Sequence, residues 1–130
     1  MYQKITRGIA ITVRPSYLEE QSSPEENYFV WAYNIVIENK GEQTVQLQSR
    51  HWKITDARGR VQEVQGPGVV GEQPVLGPGE RFEYTSGTPL PTSSGFMVGT
   101  YKMVSHDGDS FDVAIPAFSL DSPHEARRVN

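Results

Sequence analysis

The 130-residue sequence contains no cysteine. This absence excludes disulfide bonds, thiolate-ligated zinc, iron–sulfur clusters and thiol nucleophiles. Long apolar runs are absent as well, because the longest, residues 28–33, is far too short to cross a bilayer. The N-terminal residues also lack the apolar segment of a signal peptide. We therefore expect a cytoplasmic protein that does not insert into a membrane.

Basic residues are fewer than acidic ones. The chain has 12 Lys and Arg residues against 16 Asp and Glu residues, which gives a formal net charge of −4. The basic residues are scattered, and the only adjacent pair is Arg127 and Arg128. Because nucleic-acid-binding proteins normally carry a basic patch or stripe, nucleic acid is not an expected partner.

The residues that favour helices are few. Val, Ile and Thr together outnumber Leu and Ala by 28 to 11. β-Branched side chains lose rotamer freedom in a helix and pack well on a pleated sheet, so this ratio predicts a mainly β protein. The length suits a single domain over residues 1–130 and is too short for two.

Alternating apolar residues mark the strands. The strongest signal lies at residues 27–38, where one face carries Phe29, Trp31, Tyr33, Ile35 and Ile37. The other face is also mostly apolar, which is typical of a central strand covered on both sides. Shorter strands and turns follow along the chain, and together they predict about seven or eight strands.

This pattern favours an antiparallel β-sandwich of the immunoglobulin or fibronectin type III class without its disulfide. A closed β-barrel is the alternative architecture, and the sequence pattern does not distinguish it from the sandwich. Phe118 and Leu120 are candidate anchors for the C-terminal tail, but the segment 119–130 is otherwise mostly polar and we expect it to fray.

A change of phase interrupts the strand at residues 44–55. Val45 and Leu47 are odd-numbered, whereas Trp52 and Ile54 are even-numbered. Side chains alternate with a period of two, so a regular strand would place one of these pairs in water. One extra residue between Gln48 and His51 would bring both pairs inward, and we predict a β-bulge there.

Residues 65–80 hold five glycines and three prolines, and they predict a long loop rather than a helix. The loop includes a GxGxxG pattern at residues 66–71. A dinucleotide site would need a helix directly after this pattern, but Pro74 and a further Gly-Pro-Gly prevent one. We therefore expect no Rossmann-type site. A looser nest of backbone amides that binds phosphate stays open.

Catalytic and metal-binding patterns are missing. The three histidines, His51, His106 and His124, do not have the spacing of metal ligands. Ser49 and His51 are close in sequence, but no nucleophile-elbow motif accompanies them. Because no acid, base and orienting group can be named together, we predict a non-enzymatic protein without a cofactor or a metal site.

Three segments carry a family resemblance: SRHWKITDARG at 49–59, GPGVVGEQPVLGPGERFEYTSG at 66–87 and GFMVGTYKM at 95–103. They resemble the bacterial ApaG (CorD-like) family over nearly the whole chain. The resemblance implies a fibronectin type III-like sandwich with no established enzymatic activity. It also implies a genetic link to cobalt resistance, magnesium efflux and the operon of a diadenosine tetraphosphate hydrolase. Similar domains in eukaryotic F-box and polymerase-δ-interacting proteins imply an interaction role.

We therefore predict a module that binds another protein. The sequence does not identify this partner, and it leaves open whether the protein also forms a homo-oligomer. Loops on a rigid sandwich are the usual recognition surfaces. The predicted contact residues are Arg50, His51, Gly66, Gly68, Val69, Val70, Gly71 and Glu72. The alternative is a small-ligand sensor for phosphate, a nucleotide or a divalent cation, which would use the glycine-rich loop or an acidic and histidine cluster.

Overall fold

The computed structural model describes residues 1–124, and nearly all of its regular structure is β-strand. Two short 3₁₀ turns, Glu19–Gln21 and Pro24–Glu26, lie between the second and third strands. The described part has nine strands where seven or eight were predicted. They are β1 (Tyr2–Thr6), β2 (Ile9–Tyr17), β3 (Phe29–Asn39), β4 (Val45–Asp56), β5 (Val61–Pro67), β6 (Val75–Leu76), β7 (Arg81–Leu90), β8 (Ser94–Ser105) and β9 (Ser110–Asp121).

The strands form two antiparallel sheets that pack face to face. One sheet has the order β1-β2-β3-β7, and the other has the order β5-β4-β8-β9 with β6 also paired to β4. The predicted sandwich is thus confirmed, and the barrel alternative is not adopted. No helix within residues 1–124 is long and apolar enough to span a bilayer.

The core lies between the sheets and is centred on β3. All five apolar residues on the predicted inner face of this strand are buried. Tyr33 of β3 meets Trp52 of β4 and Phe118 of β9, with ring centroids 5.5 to 5.9 Å apart. Aromatic rings favour such tilted and edge-on arrangements, so this group joins the two sheets at their centre.

The predicted bulge is present in β4. The pairing of β4 with β8 shifts between Leu47 and Ser49, so Gln48 is the extra residue. Both apolar pairs on either side of it, Val45 with Leu47 and Trp52 with Ile54, are buried. The bulge therefore resolves the change of phase in the sequence.

The two end strands close one side of the sandwich. The amide of Ser119 in β9 donates to the Tyr2 hydroxyl at 3.3 Å, and the amide of Ala114 donates to Thr6 Oγ1 at 3.4 Å. Strands β5 and β7 are the remaining edges of the two sheets, on the other side of the molecule.

The expectation of a frayed tail is wrong for its first residues. Residues 119–121 belong to β9, and Leu120 is fully buried. The Trp31 indole N–H also donates to the carbonyl oxygen of Asp121 at 2.9 Å. Both candidate anchors, Phe118 and Leu120, are buried, and β9 continues to Asp121. The rest of the predicted tail, residues 125–130 with Arg127 and Arg128, lies outside the described residues.

Candidate functional site

The GxGxxG segment folds as a tight hairpin over residues 66–73, which we call the glycine hairpin. Val69 and Glu72 exchange two backbone hydrogen bonds of 2.8 Å each. Val70 and Gly71 form the tip between them, with φ of +43° and +81°. Two successive positive φ values are characteristic of a type I′ turn. The predicted long loop over 65–80 is thus divided, because β5 extends to Pro67 and β6 occupies residues 75–76.

The two adjacent valines of the hairpin have opposite environments. Val69 is 1% exposed and belongs to the hydrophobic core, whereas Val70 is 57% exposed. The left-handed backbone region disfavours β-branched side chains strongly, and the first tip position of such a turn usually holds Asn, Asp or Gly. Val70 is therefore both an exposed apolar group and a strained one.

The bulge in β4 anchors the hairpin to the sheet. The carbonyl oxygen of Gln48 accepts the Gly68 amide and the Gln73 side-chain amide, both at 2.9 Å. A bulge leaves its extra residue outside the strand ladder, which frees this carbonyl for the hairpin. Gln48 and Gln73 thus hold the hairpin against the sheet, and the sequence analysis identified neither residue as part of the site. The predicted bulge itself was the signal that could have found Gln48.

Arg50 and His51 lie on opposite faces of β4. Arg50 shares the inner face with Trp52, and its Nη1 donates to the carbonyl oxygens of Pro67 and Gly68 at 3.1 and 3.0 Å. His51 is on the outer face, where Nε2 lies 2.8 Å from Glu63 Oε1 on β5. The two side chains leave β4 in opposite directions, because successive strand residues alternate sides, but both residues line one open hollow of the surface. Arg50 thus holds the hairpin from the inner face of the sheet.

A group of buried tyrosines packs beside Arg50. The hydroxyls of Tyr84 and Tyr101 are 2.5 Å apart and bond to each other. Burial raises the pKa of Tyr84 and of Tyr101 well above the usual value of a phenol. Burial also raises the pKa of Tyr33, against the opposing effects of a hydrogen bond with Ser86 and the charge of Arg50. These phenols stay protonated and form part of the core.

Two open hollows flank the glycine hairpin. The first, which we call the sheet depression, has a volume of about 560 Å³ and lies on the sheet that contains β4. Its lining residues are Ser49, Arg50, His51, Gln65, Gly66, Thr100, Lys102 and Asp112. The second, the hairpin groove, has a volume of about 490 Å³ and runs towards β6 and β7. It is lined by Glu72, Pro74, Val75, Leu76, Gly79, Glu80, Arg81 and Phe82.

The predicted site residues are thus divided between the hairpin, its support and its two hollows. Gly66 lines the sheet depression and Glu72 lines the hairpin groove, so the hairpin borders both. Gly68 and Val69 face the protein interior, and Val70 and Gly71 face outward. Val75 and Phe82, which the sequence did not single out, contribute the apolar part of the groove.

Three backbone amides of the hairpin are already engaged. Gly68, Val69 and Glu72 donate to backbone carbonyls of Gln48, Glu72 and Val69, respectively. Pro67 has no amide hydrogen to offer. A phosphate-binding nest needs several free amides that point to one spot, so this geometry gives the nest little support.

The histidines do not converge on a metal site. Within residues 1–124, no group of three or more His, Asp or Glu side chains could hold a metal ion. His106 is exposed at a hairpin tip beside Asp107, whose pKa is lowered mainly by its hydrogen bond with the Ser105 hydroxyl. His124 Nε2 lies 2.9 Å from a carboxylate oxygen of Glu19. His51 and His124 therefore each contact the carboxylate of a single residue.

Comparisons with known proteins agree on one family. A family model described as the ApaG domain matches residues 19–105. Protein ApaG of Rhodospirillum centenum is 69% identical over 130 residues, and the match covers all of both chains. Protein ApaG of Parvibaculum lavamentivorans is 62% identical with the same coverage. A crystal structure from Bordetella pertussis, described as an ApaA protein, is 52% identical with a TM-score of 0.87. The match covers 89% of this chain and 94% of that one.

Proposed function

The chain belongs to the ApaG domain family, and we propose that it acts without catalysis by binding another protein through the glycine hairpin. The observation that carries this proposal is Val70. An exposed valine in a left-handed backbone costs stability and gains no burial in return. Strained residues of this kind cluster at functional sites, so an apolar side chain at this tip is best explained by a contact with a partner.

The support behind the tip favours the same function. Arg50 and Gln48 hold the hairpin through its carbonyls and amides, and Val69 fixes it to the core. A tip held in one conformation loses little entropy when it binds, which strengthens an interface without enlarging it. The hairpin is thus suited to present one apolar side chain rigidly.

Within this proposal, the link of the family to cobalt resistance and magnesium efflux is indirect and runs through the protein partner in the cytoplasm. Three amides of the hairpin already donate within the protein, and His51 and His124 each contact the carboxylate of a single residue. Both observations favour a protein partner over a sensor for phosphate or a cation.

Substitutions at the two valines test the proposal. Val70→Thr keeps the β-branched shape and replaces a methyl group with a hydroxyl, whereas Val70→Asn also relieves the backbone strain. We expect partner capture from native cells to fall for both, with an unchanged Tm for Val70→Thr and a higher Tm for Val70→Asn. Capture is measured by affinity purification with quantitative mass spectrometry.

Val69→Ser is the matched control. It should lower the Tm because it places a hydroxyl in the core, while the folded fraction should still capture the partner. Full capture by both Val70 variants would contradict the proposal. Loss of capture only where the Tm falls would assign the valines a purely structural role.

A further inference from the structure

The hairpin groove presents apolar side chains to solvent. Val75 in its lining is 58% exposed, and Phe82 of β7, which also lines it, is half-buried. Pro74 extends this surface towards the hairpin, and Leu76 connects it to the core. Exposed apolar groups that line one groove mark contact sites more often than isolated ones do.

Acidic side chains border the same groove. Glu72 on the hairpin is exposed and makes no ion pair with the described residues, and Glu80 lies on the far side. Glu80 Oε1 accepts the Gly77 amide at 2.7 Å, which fixes the position of this carboxylate. Arg81 also lines the groove and lies opposite Glu38 in the β3–β7 register, but it makes no ion pair with the described residues. With Glu72 and Glu80 against Arg81, the two carboxylates outnumber the one cation of the lining.

We infer that the hairpin groove docks a basic segment of the partner protein, with an apolar side chain against Val75 and Phe82 and Lys or Arg groups against Glu72 and Glu80. This inference rests on the proposed protein-binding function. Electrostatic complementarity selects the partner by charge, and the apolar contact supplies the burial that exposed ion pairs lack. A groove of about 490 Å³ fits a few side chains of one segment.

Two synthetic peptides of equal length test this chemistry, one alternating Lys with Leu and the other alternating Glu with Leu. They are titrated into the isotopically labelled full-length protein and followed by backbone amide NMR. The Lys–Leu peptide should shift amides within residues 70–76 and 80–82, and its affinity should fall as salt is added. The Glu–Leu peptide should leave these amides unchanged.

Charge-neutralising variants localise the contact. Glu72→Gln and Glu80→Gln should each weaken binding of the Lys–Leu peptide about two- to fivefold, as expected for exposed charge pairs. Glu25→Gln makes the same change in net charge on an exposed residue of the second 3₁₀ turn, and it should have no effect. An equal loss in all three variants, or shifts on another face, would overturn the inference.

The two proposals fail in different ways. If the Lys–Leu peptide does not bind while Val70→Thr still loses partner capture, the chemistry inferred for the groove is wrong and the protein-binding function stands. If the peptide binds in the groove but both Val70 variants capture the partner fully, the groove stands and the role of the hairpin tip is wrong.

Discussion

At position 70 a valine occupies a backbone conformation that normally selects glycine or asparagine. A non-glycine residue in this region costs about 1–3 kcal/mol, which is a sizeable part of the net stability of a small domain. Stability could therefore be gained here by a single substitution, at the expense of the apolar tip. An exposed valine at this position thus costs stability without a compensating gain in burial.

Gly68 differs from the tip glycine because its surroundings leave no room for a side chain. Its φ is +62°, and a Cβ would overlap the carbonyl oxygen of Glu72. We predict that Gly68→Ala lowers the free energy of unfolding by about 2–4 kcal/mol, from backbone strain and the displaced hairpin together. Urea denaturation followed by tryptophan fluorescence measures this loss.

Gly71→Ala is the control for this prediction. Gly71 has φ of +81°, and a Cβ there would meet no atom within 4 Å. Gly71→Ala should lower the free energy of unfolding only by the strain of the left-handed conformation, about 1–2 kcal/mol. Equal losses in the two variants would show that the overlap with Glu72 is relieved at no cost.

Tyr84 and Tyr101 satisfy each other inside the core. Tyr84→Phe or Tyr101→Phe alone leaves a buried hydroxyl without its partner, and each should cost about 1–3 kcal/mol. The double variant removes both hydroxyls and should cost less than the sum of the two. A double-mutant cycle in urea measures this coupling. Simple additivity would mean that the pair contributes nothing beyond its packing.

At the scale of elements, β4 depends on one inserted residue. We predict that deleting Gln48 abolishes cooperative unfolding. Without the extra residue, a regular strand would expose two large apolar side chains to water, and each exposure costs about 1.5–3 kcal/mol of folding free energy. Gln48→Ala keeps the inserted backbone and its carbonyl, so it should change stability by less than about 1 kcal/mol. Circular dichroism and urea titration distinguish the two. A folded deletion variant would refute this account of the bulge.

Alternation along single strands made most of this architecture predictable. The faces of β3 and the bulge in β4 follow from residues a few positions apart, which sequence displays directly. The same phase argument, carried two residues past Gln48, would also have placed Arg50 inward. Strand β1 was missed because YQKIT has little apolar alternation and gains its place by pairing with β2.

Contacts across the fold were beyond sequence reasoning. The hairpin is held by a bulge carbonyl about 20 residues earlier, and the groove joins residues of β6 and β7 that share no local pattern. The positive φ of Val70 contradicts its own residue preference and could not have been expected from it. Long-range packing decided these features, and no propensity at position 70 encodes them.

At the scale of the whole molecule, the buried tyrosines make stability depend on alkaline pH. Their folded-state pKa values are raised, so the folded protein keeps phenol protons that the unfolded chain releases above about pH 10. This stabilisation is fully present below about pH 10 and is lost as the pH rises towards the folded-state values. Each tyrosine contributes a fall of up to about 1.4 kcal/mol per pH unit in the free energy of unfolding.

We therefore predict that the free energy of unfolding decreases steeply as the pH rises above about 10. Urea titrations at a series of pH values measure this decrease, and the ultraviolet absorbance of tyrosinate should rise together with unfolding. Tyrosinate formation by all six tyrosines in a protein that stays folded would contradict the prediction.

The closure of β1 against β9 has a consequence for synthesis of the chain. The first strands face a core that the last strand completes, with Val113, Ile115, Phe118 and Leu120 all contributed by β9. The Trp31 indole bonds to a carbonyl 90 residues later. Pairings this distant form slowly, in milliseconds to seconds. A nascent chain on the ribosome therefore has an incomplete sandwich until β9 emerges. A chain that terminates before β9 would leave the apolar inner face exposed and would be prone to aggregate.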